Sequence, residues 1–160
     1  MKPLSALLPS YAQLTDGPDP VVTGVTLNSR YVTEGGLFAA IPGTDRDGHE
    51  YIADAAERGA QVVLYQYPDQ SLPAGIIGIQ VQRPAYTLGL IAHNFYDRPA
   101  EELTVTGITG TNGKTSACAF LHQLFTQLGY KTGLIATTGV YIGQEKTETN
   151  HTTPDAVTLA

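Results

Sequence analysis

The chain has 160 residues, 42% hydrophobic and 15% charged, a composition that can bury a core and lacks the polar bias of disordered proteins. Its formal net charge of −6 argues against nucleic acid as a partner, because a phosphate backbone is bound by a basic surface and no Lys/Arg cluster is present. A single cysteine excludes an internal disulfide, and the apolar patch before Pro9 is too short for a signal peptide or membrane span, so we expect a cytoplasmic protein without membrane insertion.

The first hundred residues alternate between strand and helix patterns. Leu4, Leu7 and Leu8 could line one face of a short first helix. The strand patterns, with apolar runs or alternation, cover residues 21–27, 37–41, 61–66 and 76–81. The helix patterns cover residues 50–58, ended by Gly59, and a stretch that starts at Pro84 and continues through Phe95. This alternation predicts an α/β fold, with a first domain over residues 1–98.

A second, incomplete domain is predicted over residues 99–160, because the Pro-Ala-Glu-Glu run at 99–102 is the best linker candidate. It would contain a strand at 103–109, an amphipathic helix ended by Gly129, a strand at 132–137 and a hairpin-like piece at 141–147. One helix cannot cover both faces of a parallel sheet, and a further helix start at Thr153 and Pro154 comes just before the last residue. We therefore expect the polypeptide to be a fragment cut inside this domain.

The turn between the predicted strand and helix of this domain reads Gly-Thr-Asn-Gly-Lys-Thr. Gly110 and Gly113 can adopt backbone angles closed to other residues, so successive N–H groups can point at an anion, and the helix start adds its own unpaired N–H groups. Lys114 would reach the outer phosphates of a nucleotide, and the Thr115 hydroxyl would hold Mg²⁺. Ile108 replaces the first glycine of the general P-loop, so this is a variant loop.

Three separated stretches resemble the Mur ligase family. Residues 26–30, with 36–43 and 47–49, resemble its N-terminal UDP-binding domain, and residues 107–115 look like its ATP loop, whose shorter spacing permits an isoleucine at 108. The Thr-Thr-Pro sequence at 152–154 is similar to the motif of the member that adds the third residue to the peptidoglycan stem. The resemblance implies a small α/β UDP-binding domain followed by the start of a P-loop ATPase-type central domain.

The activity implied by this resemblance is ATP-dependent amide-bond formation in peptidoglycan synthesis. The γ-carboxylate of UDP-N-acetylmuramoyl-L-alanyl-D-glutamate would be activated as an acyl phosphate and joined to a diamino acid, either meso-diaminopimelate, which we favour, or L-lysine. ATP and Mg²⁺ are the implied cofactors, and we expect a monomer. The fragment alone is expected to be inactive, because further metal ligands, a modified lysine and the amino-acid-selecting domain would lie beyond Ala160.

The resemblance also implies roles for individual residues. Leu27 and Ser29 would contact the UDP end of the substrate, and Thr152 and Thr153 its muramoyl-peptide end. Lys114 would be catalytic and Thr115 the metal ligand, within an ATP-binding set made of Gly110, Thr111, Asn112, Gly113, Lys114, Thr115 and Ser116.

Each of these roles has a structural alternative. Ser29 could cap a turn, Leu27 could belong to the core, and Thr153 could cap a helix. His49 is expected to be a structural residue between a loop and a helix. The roles of Arg30, which could pair with a substrate phosphate or a nearby carboxylate, and of His151 stay open.

Two other functions compete with the ligase. One is a non-catalytic UDP-sugar binding module whose P-loop is vestigial. The other is an unrelated P-loop kinase or GTPase, which the missing first glycine and the lack of an N-K-x-D motif in the 160 residues disfavour.

Overall fold

A computed structural model describes residues 1–12, 18–43, 46–147 and 154–159 of the chain. The described residues form two compact units. The first runs from Met1 to Leu103 and includes the last helix, and the second is Thr104–Asp155. Both combine helices with sheet, which confirms the α/β prediction.

The first unit opens with a two-stranded antiparallel ladder between β1 (Lys2–Pro3) and β2 (Val21–Val22). The single strand predicted over residues 21–27 is wrong. The strand is interrupted at residues 23–24, and the next strand, β3 (Val25–Thr26), joins a different sheet. The Thr23 hydroxyl donates to the carbonyl of Glu34 at 2.6 Å, so a side chain provides the hydrogen bond of this backbone carbonyl where the strand is interrupted. A run of apolar residues does not specify which neighbour each part will pair with.

Four parallel strands form the centre of the first unit, in the order β3, β4 (Gly36–Ala39), β5 (Ala60–Tyr65) and β6 (Ile77–Gln80). Successive side chains on a strand point to opposite faces. Val62 and Leu64 therefore belong to one core cluster and Val63 to another, on the two sides of the sheet. Both faces are covered, as parallel sheets require.

Helices cover these faces unequally. One face carries α1 (Leu4–Leu7) and α3 (Pro84–Phe95), whose Leu7, Leu88 and Ile91 are buried against the sheet. A 3-10 turn at Gly48–Tyr51 leads into α2 (Ile52–Glu57), whose Ile52 and Ala55 fill the core of the opposite face. The carboxyl ends of the four strands are consequently left to loops, which is where open α/β sheets bind ligands.

The second unit contains α4 (Lys114–Gln127) and an antiparallel sheet of β7 (Gly133–Ala136), β8 (Gly139–Ile142) and β9 (Glu145–Thr147). The strand predicted over residues 103–109 is wrong, since residues 104–109 belong to no strand in the described part of the chain. A strand requires a neighbour for its ladder, and the sheet of this unit is built from two local hairpins instead.

The predicted helix with an apolar stripe exists as α4, but its stripe is exposed rather than buried. The exposed apolar side chains are Phe120, Leu121, Leu124, Phe125 and Leu128. Periodicity therefore identified the helix correctly, whereas the packing of α4 on β7 leaves these side chains exposed.

The last helix, α5 (Ala156–Leu159), belongs to the first unit and packs against α3. Its Val157 joins the core formed with α1 and α3. Among the described helices, none is long and apolar enough to cross a membrane.

Candidate nucleotide-binding site

The Gly-rich turn of the second unit keeps its bend and opens directly into α4. Gly110 has φ 153° and Gly113 has φ 77°, so both use the positive-φ region that glycine tolerates best. A Cβ added at Gly113 would meet no atom within 4 Å. The backbone angle, and not crowding, is therefore what requires glycine at this position.

Gly113 is also the residue that precedes the first helical turn. Its carbonyl accepts the N–H of Ala117 at 2.9 Å, which starts the α-helical hydrogen-bond pattern. The first N–H groups of α4 have no partner within the helix and point toward the turn. An anion placed there would meet these donors and the positive end of the helix dipole.

Lys114 folds back over the turn that precedes it. Its ammonium donates to the carbonyl of Gly110 at 2.5 Å and to that of Thr111 at 3.3 Å, while the side chain stays exposed. The positive charge therefore lies above the same backbone that would cradle an anion. Phosphate oxygens are stronger partners for an ammonium group than neutral carbonyls are, so a bound phosphate would replace these bonds.

Thr115, the second residue of α4, is half-buried and its hydroxyl lies 3.0 Å from that of Thr137. Thr137 follows the last residue of β7. Thr111, Asn112 and Ser116 are exposed around the same turn. The structure thus places the seven predicted nucleotide-binding residues on one turn and the first helical residues after it.

The two residues predicted to contact the UDP end lie after β3 in the first unit. Leu27 is 38% exposed, and Ser29 is 6% exposed at the start of a 3-10 turn, Ser29–Tyr31. The side chain of Asn28, and not that of Ser29, caps this turn by accepting the N–H of Arg30 at 3.1 Å. Both residues stand at the carboxyl edge of the parallel sheet, the ligand-binding edge of such folds.

The buried Ser29 hydroxyl has a protein partner that sequence reasoning missed. Its hydrogen bond, followed by that of Arg58, holds the pKa of the Asp54 carboxyl below its ordinary value. The Arg58 Nε lies 2.9 Å from Asp54 Oδ1. Asp54 is on α2, 25 positions after Ser29, so only the packing of α2 beside the turn brings the two together.

A cluster of polar side chains connects the loop that follows β4 to the segment that follows β5. The Nε2 atom of His49 accepts the N–H of Gln66 at 3.0 Å, so Nδ1 carries the proton and donates to Asp47 at 2.6 Å. Tyr67 donates from its hydroxyl to the second Asp47 oxygen at 2.9 Å, and its ring lies 4.2 Å from that of His49. His49 is 7% exposed, which confirms its predicted structural role.

The pKa of Asp47 is held below its ordinary value, first by the backbone N–H of His49 and then by the His49 and Tyr67 side chains. This cluster joins the segments that follow β4 and β5 at the same carboxyl edge as Ser29. Two hydrogen bonds therefore connect these segments, one from the Gln66 N–H to His49 and one from the Tyr67 hydroxyl to Asp47.

Two predicted substrate contacts, Thr152 and Thr153, lie outside the described residues, as does His151. Besides Asp54, the sequence reasoning missed Thr137. Thr137 ends a predicted strand, but nothing in the sequence indicates that this strand end lies beside Thr115.

Two family models match the chain, one to each part. The Mur ligase family catalytic domain matches residues 21–96, and the Mur ligase middle domain matches residues 108–160. The chain belongs to the Mur ligase family. Residues 26–30, 36–43 and 47–49 fall within the first match, and the Gly-rich turn falls within the second.

Curated relatives agree with this family. A Mur ligase of Cytophaga hutchinsonii named UDP-N-acetylmuramoyl-L-alanyl-D-glutamate--2,6-diaminopimelate ligase is 44% identical over 142 residues, which are 88% of this chain and 29% of the relative. A ligase of the same name from Bacteroides fragilis is 43% identical over 147 residues, or 92% of this chain and 30% of the relative. The chain therefore spans about three tenths of the length of these relatives.

A solved structure extends the likeness to the fold. The structure of a UDP-N-acetylmuramoyl-L-alanyl-D-glutamate--2,6-diaminopimelate ligase matches 99% of this chain and 32% of its own length, with a TM-score of 0.66 and 21% identity. At this identity the match shows a shared fold.

Proposed function

We propose that the protein carrying this chain is an ATP-dependent ligase that joins a diamino acid to the γ-carboxylate of UDP-N-acetylmuramoyl-L-alanyl-D-glutamate. The observation that carries the proposal is the Gly-rich turn before α4, with Lys114 folded over it. Relatives at 44% and 43% identity, named for the 2,6-diaminopimelate reaction, support meso-diaminopimelate over L-lysine as the diamino acid.

In this proposal residues 1–98 hold the sugar nucleotide and residues 99–160 begin the ATP-binding domain. The exposed part of Leu27 and the hydroxyl of Ser29 contact the UDP end, which their place at the carboxyl edge of the sheet supports. Thr152 and Thr153 contact the muramoyl-peptide end. A cytoplasmic monomer that binds no nucleic acid is consistent with the net charge of −6.

The turn and the start of α4 serve the triphosphate. Backbone N–H groups from Gly110 to Lys114 bind phosphate oxygens, and the Lys114 ammonium neutralises charge on the phosphoryl group during its transfer. Such donors are already aimed before the substrate arrives, which is why they can stabilise the transition state without reorganising.

Magnesium fits the donor chemistry of this turn. The described residues contain no group of three or more His, Cys, Asp or Glu side chains that could form a complete metal cage. Mg²⁺ needs no such cage beside a nucleotide, because it keeps waters and phosphate oxygens and takes one or two protein ligands. The Thr115 hydroxyl would be one of these, and the metal would supply neutralisation of phosphate charge when bound.

The reaction requires activation because a carboxylate resists attack by an amine. In the proposed sequence a γ-carboxylate oxygen attacks the terminal phosphorus of ATP and ADP leaves. The amine of the diamino acid then attacks the carbonyl carbon, loses a proton, and phosphate leaves with the former carboxylate oxygen. Lys114 acts in the first step, where negative charge gathers on the phosphoryl oxygens.

Phosphate release by the full-length protein tests the proposal. We expect release only when ATP, the muramoyl dipeptide nucleotide and meso-diaminopimelate are all present, and a loss of at least about 100-fold in kcat for Lys114→Ala, as for removal of a transition-state charge partner. Lys131→Ala removes the same charge from an exposed lysine outside the turn and is the matched control. It should retain most of the activity, because Lys131 lies after the opposite end of α4.

Titration calorimetry separates the ligase from a non-catalytic module. A sensor with a vestigial loop would bind the muramoyl dipeptide nucleotide and release no phosphate under any combination of substrates. That result would contradict the ligase and support the competing function.

A further inference from the structure

Two threonine hydroxyls meet beside the phosphate-binding turn. Thr115 Oγ1, on the first turn of α4, lies 3.0 Å from Thr137 Oγ1, immediately after β7. Both residues belong to the second unit, and α4 packs on β7. This distance is within hydrogen-bond range for two hydroxyls.

A tight hairpin holds Thr137 in place. Ala136 pairs with Gly139 across the ladder, so Thr137 and Thr138 form a two-residue turn between β7 and β8. The Tyr141 hydroxyl donates to the Thr138 carbonyl at 3.4 Å, which ties the turn to β8. Two-residue hairpin turns have few backbone conformations, so the Thr137 side chain has a well-defined position.

The hydroxyl of Thr115 does not take the local partner that a helical threonine commonly takes. In the same helix, Thr126 donates to the carbonyl of His122 four residues earlier at 2.7 Å, the usual back-bond. For Thr115 the corresponding carbonyl, that of Thr111, receives the Lys114 ammonium at 3.3 Å. Thr111 also precedes α4, outside the helical repeat, and the Thr115 hydroxyl lies against that of Thr137 beside β7 instead.

The direction of this hydrogen bond matters for metal binding. A hydroxyl has one hydrogen and two lone pairs, and a hydroxyl that ligates a metal uses a lone pair for it. Its hydrogen must then go to an acceptor elsewhere. Thr137 Oγ1 lies within hydrogen-bond distance of the Thr115 hydroxyl, and like any hydroxyl oxygen it can accept that hydrogen.

We propose that Thr137 is a positioning residue that accepts the hydrogen of the Thr115 hydroxyl and so aims a Thr115 lone pair at a Mg²⁺ ion bound with the nucleotide. This inference rests on the proposed function, because it assumes that the turn binds a nucleotide with magnesium. It adds a residue from the β7–β8 hairpin to a site that the sequence placed on the turn and α4 alone.

The affinity of the full chain for ADP, measured by titration calorimetry in excess MgCl₂ and again in excess EDTA, tests this inference. In Mg²⁺, Thr137→Val should weaken ADP binding about 3- to 10-fold, the effect of losing one net hydrogen bond. In EDTA the same variant should bind ADP as the wild type does. Thr137→Ser keeps the acceptor and should restore the Mg²⁺-dependent affinity.

Two controls separate positioning from a purely structural role. Thr138→Val makes the same chemical change one residue along in the same turn and should leave both affinities unchanged. Thr115→Val should remove the benefit of Mg²⁺, and adding Thr137→Val to it should cause no further loss, because Thr137 acts through Thr115.

If Thr137→Val lowered the affinity for ADP equally in Mg²⁺ and in EDTA, or did not lower it at all, the inference would be overturned. The contact would then be a purely structural hydrogen bond between α4 and the residue after β7. A wild-type chain that binds ADP with no response to Mg²⁺ would instead contradict the metal assignment of Thr115 in the proposed function. The inference would also be overturned if Thr137→Val weakened ADP binding in the Thr115→Val background as much as it does in the wild type.

Discussion

Replacing His49 by alanine should destabilise the first unit, because its side chain joins two loops at the carboxyl edge of the sheet. The side chain is 5% exposed and makes two hydrogen bonds, to Asp47 at 2.6 Å and to the Gln66 N–H at 3.0 Å. Its ring also packs on Tyr67. The substitution removes all of these contacts and leaves the Gln66 N–H without its acceptor.

The magnitude follows from these contacts. Each hydrogen bond contributes about 1 kcal/mol net, and an unsatisfied buried donor costs about 1–3 kcal/mol. We therefore expect His49→Ala to lower the free energy of unfolding by about 2–4 kcal/mol, a large part of the roughly 5–15 kcal/mol that holds a domain folded.

Urea unfolding followed by circular dichroism measures this loss. With a slope of about 2 kcal/mol per molar urea, the midpoint should fall by roughly 1–2 M. Tyr67→Phe is the matched control, because it keeps the ring beside His49 and removes only the hydroxyl bond to Asp47. It should cost about 0.5–1 kcal/mol. An equal midpoint for His49→Ala and Tyr67→Phe would refute the reasoning that the imidazole joins the two loops.

Two further predictions concern the turn and the carboxylates. Gly113→Ala should weaken ADP binding and cost about 1–2 kcal/mol of stability, because its φ of 77° is unfavourable for alanine. Gly129→Ala is the control, since Gly129 has a similar φ of 88° after the other end of α4 and is equally uncrowded. It should cost similar stability and leave ADP affinity unchanged. Comparable ADP affinities for the two variants would contradict the role of the turn. Asp47 and Asp54 have lowered pKa values in the folded chain, so the stability they provide is present above their ordinary pKa and is lost as pH falls through their folded values. We expect the urea midpoint to fall as pH drops below about 4 and Asp47→Asn to flatten that dependence, whereas a midpoint constant down to pH 2.5 would disprove it.

Local patterns predicted most elements of this fold correctly. The apolar positions of α3 recur at helical spacing and begin at Pro84, and the structure has that helix at Pro84–Phe95. The Gly-rich turn before α4 was equally predictable, because it depends on glycine backbone angles and on a lysine adjacent in sequence. Such features are set by neighbours a few residues apart.

Pairing and burial were not predictable in the same way. The run at 21–27 splits between two sheets, and residues 104–109 join no described strand, although both are rich in β-branched residues. The stripe of α4 has helical periodicity, yet its leucines and phenylalanines are exposed. Strand propensity indicates only that a segment suits a pleated surface, and the neighbour is chosen by the rest of the fold.

The amino-acid sequence by itself determined the α/β class, the membership in the Mur ligase family and the residues of the Gly-rich turn, because each is encoded in local patterns and short motifs along the chain. Only the tertiary structure decided which distant side chains complete these stretches: Asp54 beside Ser29, Tyr67 beside Asp47, and Thr137 beside Thr115. The physical reason is that a hydrogen bond needs two atoms within about 3 Å, and across 20 or more residues that distance is set by how helices and strands pack.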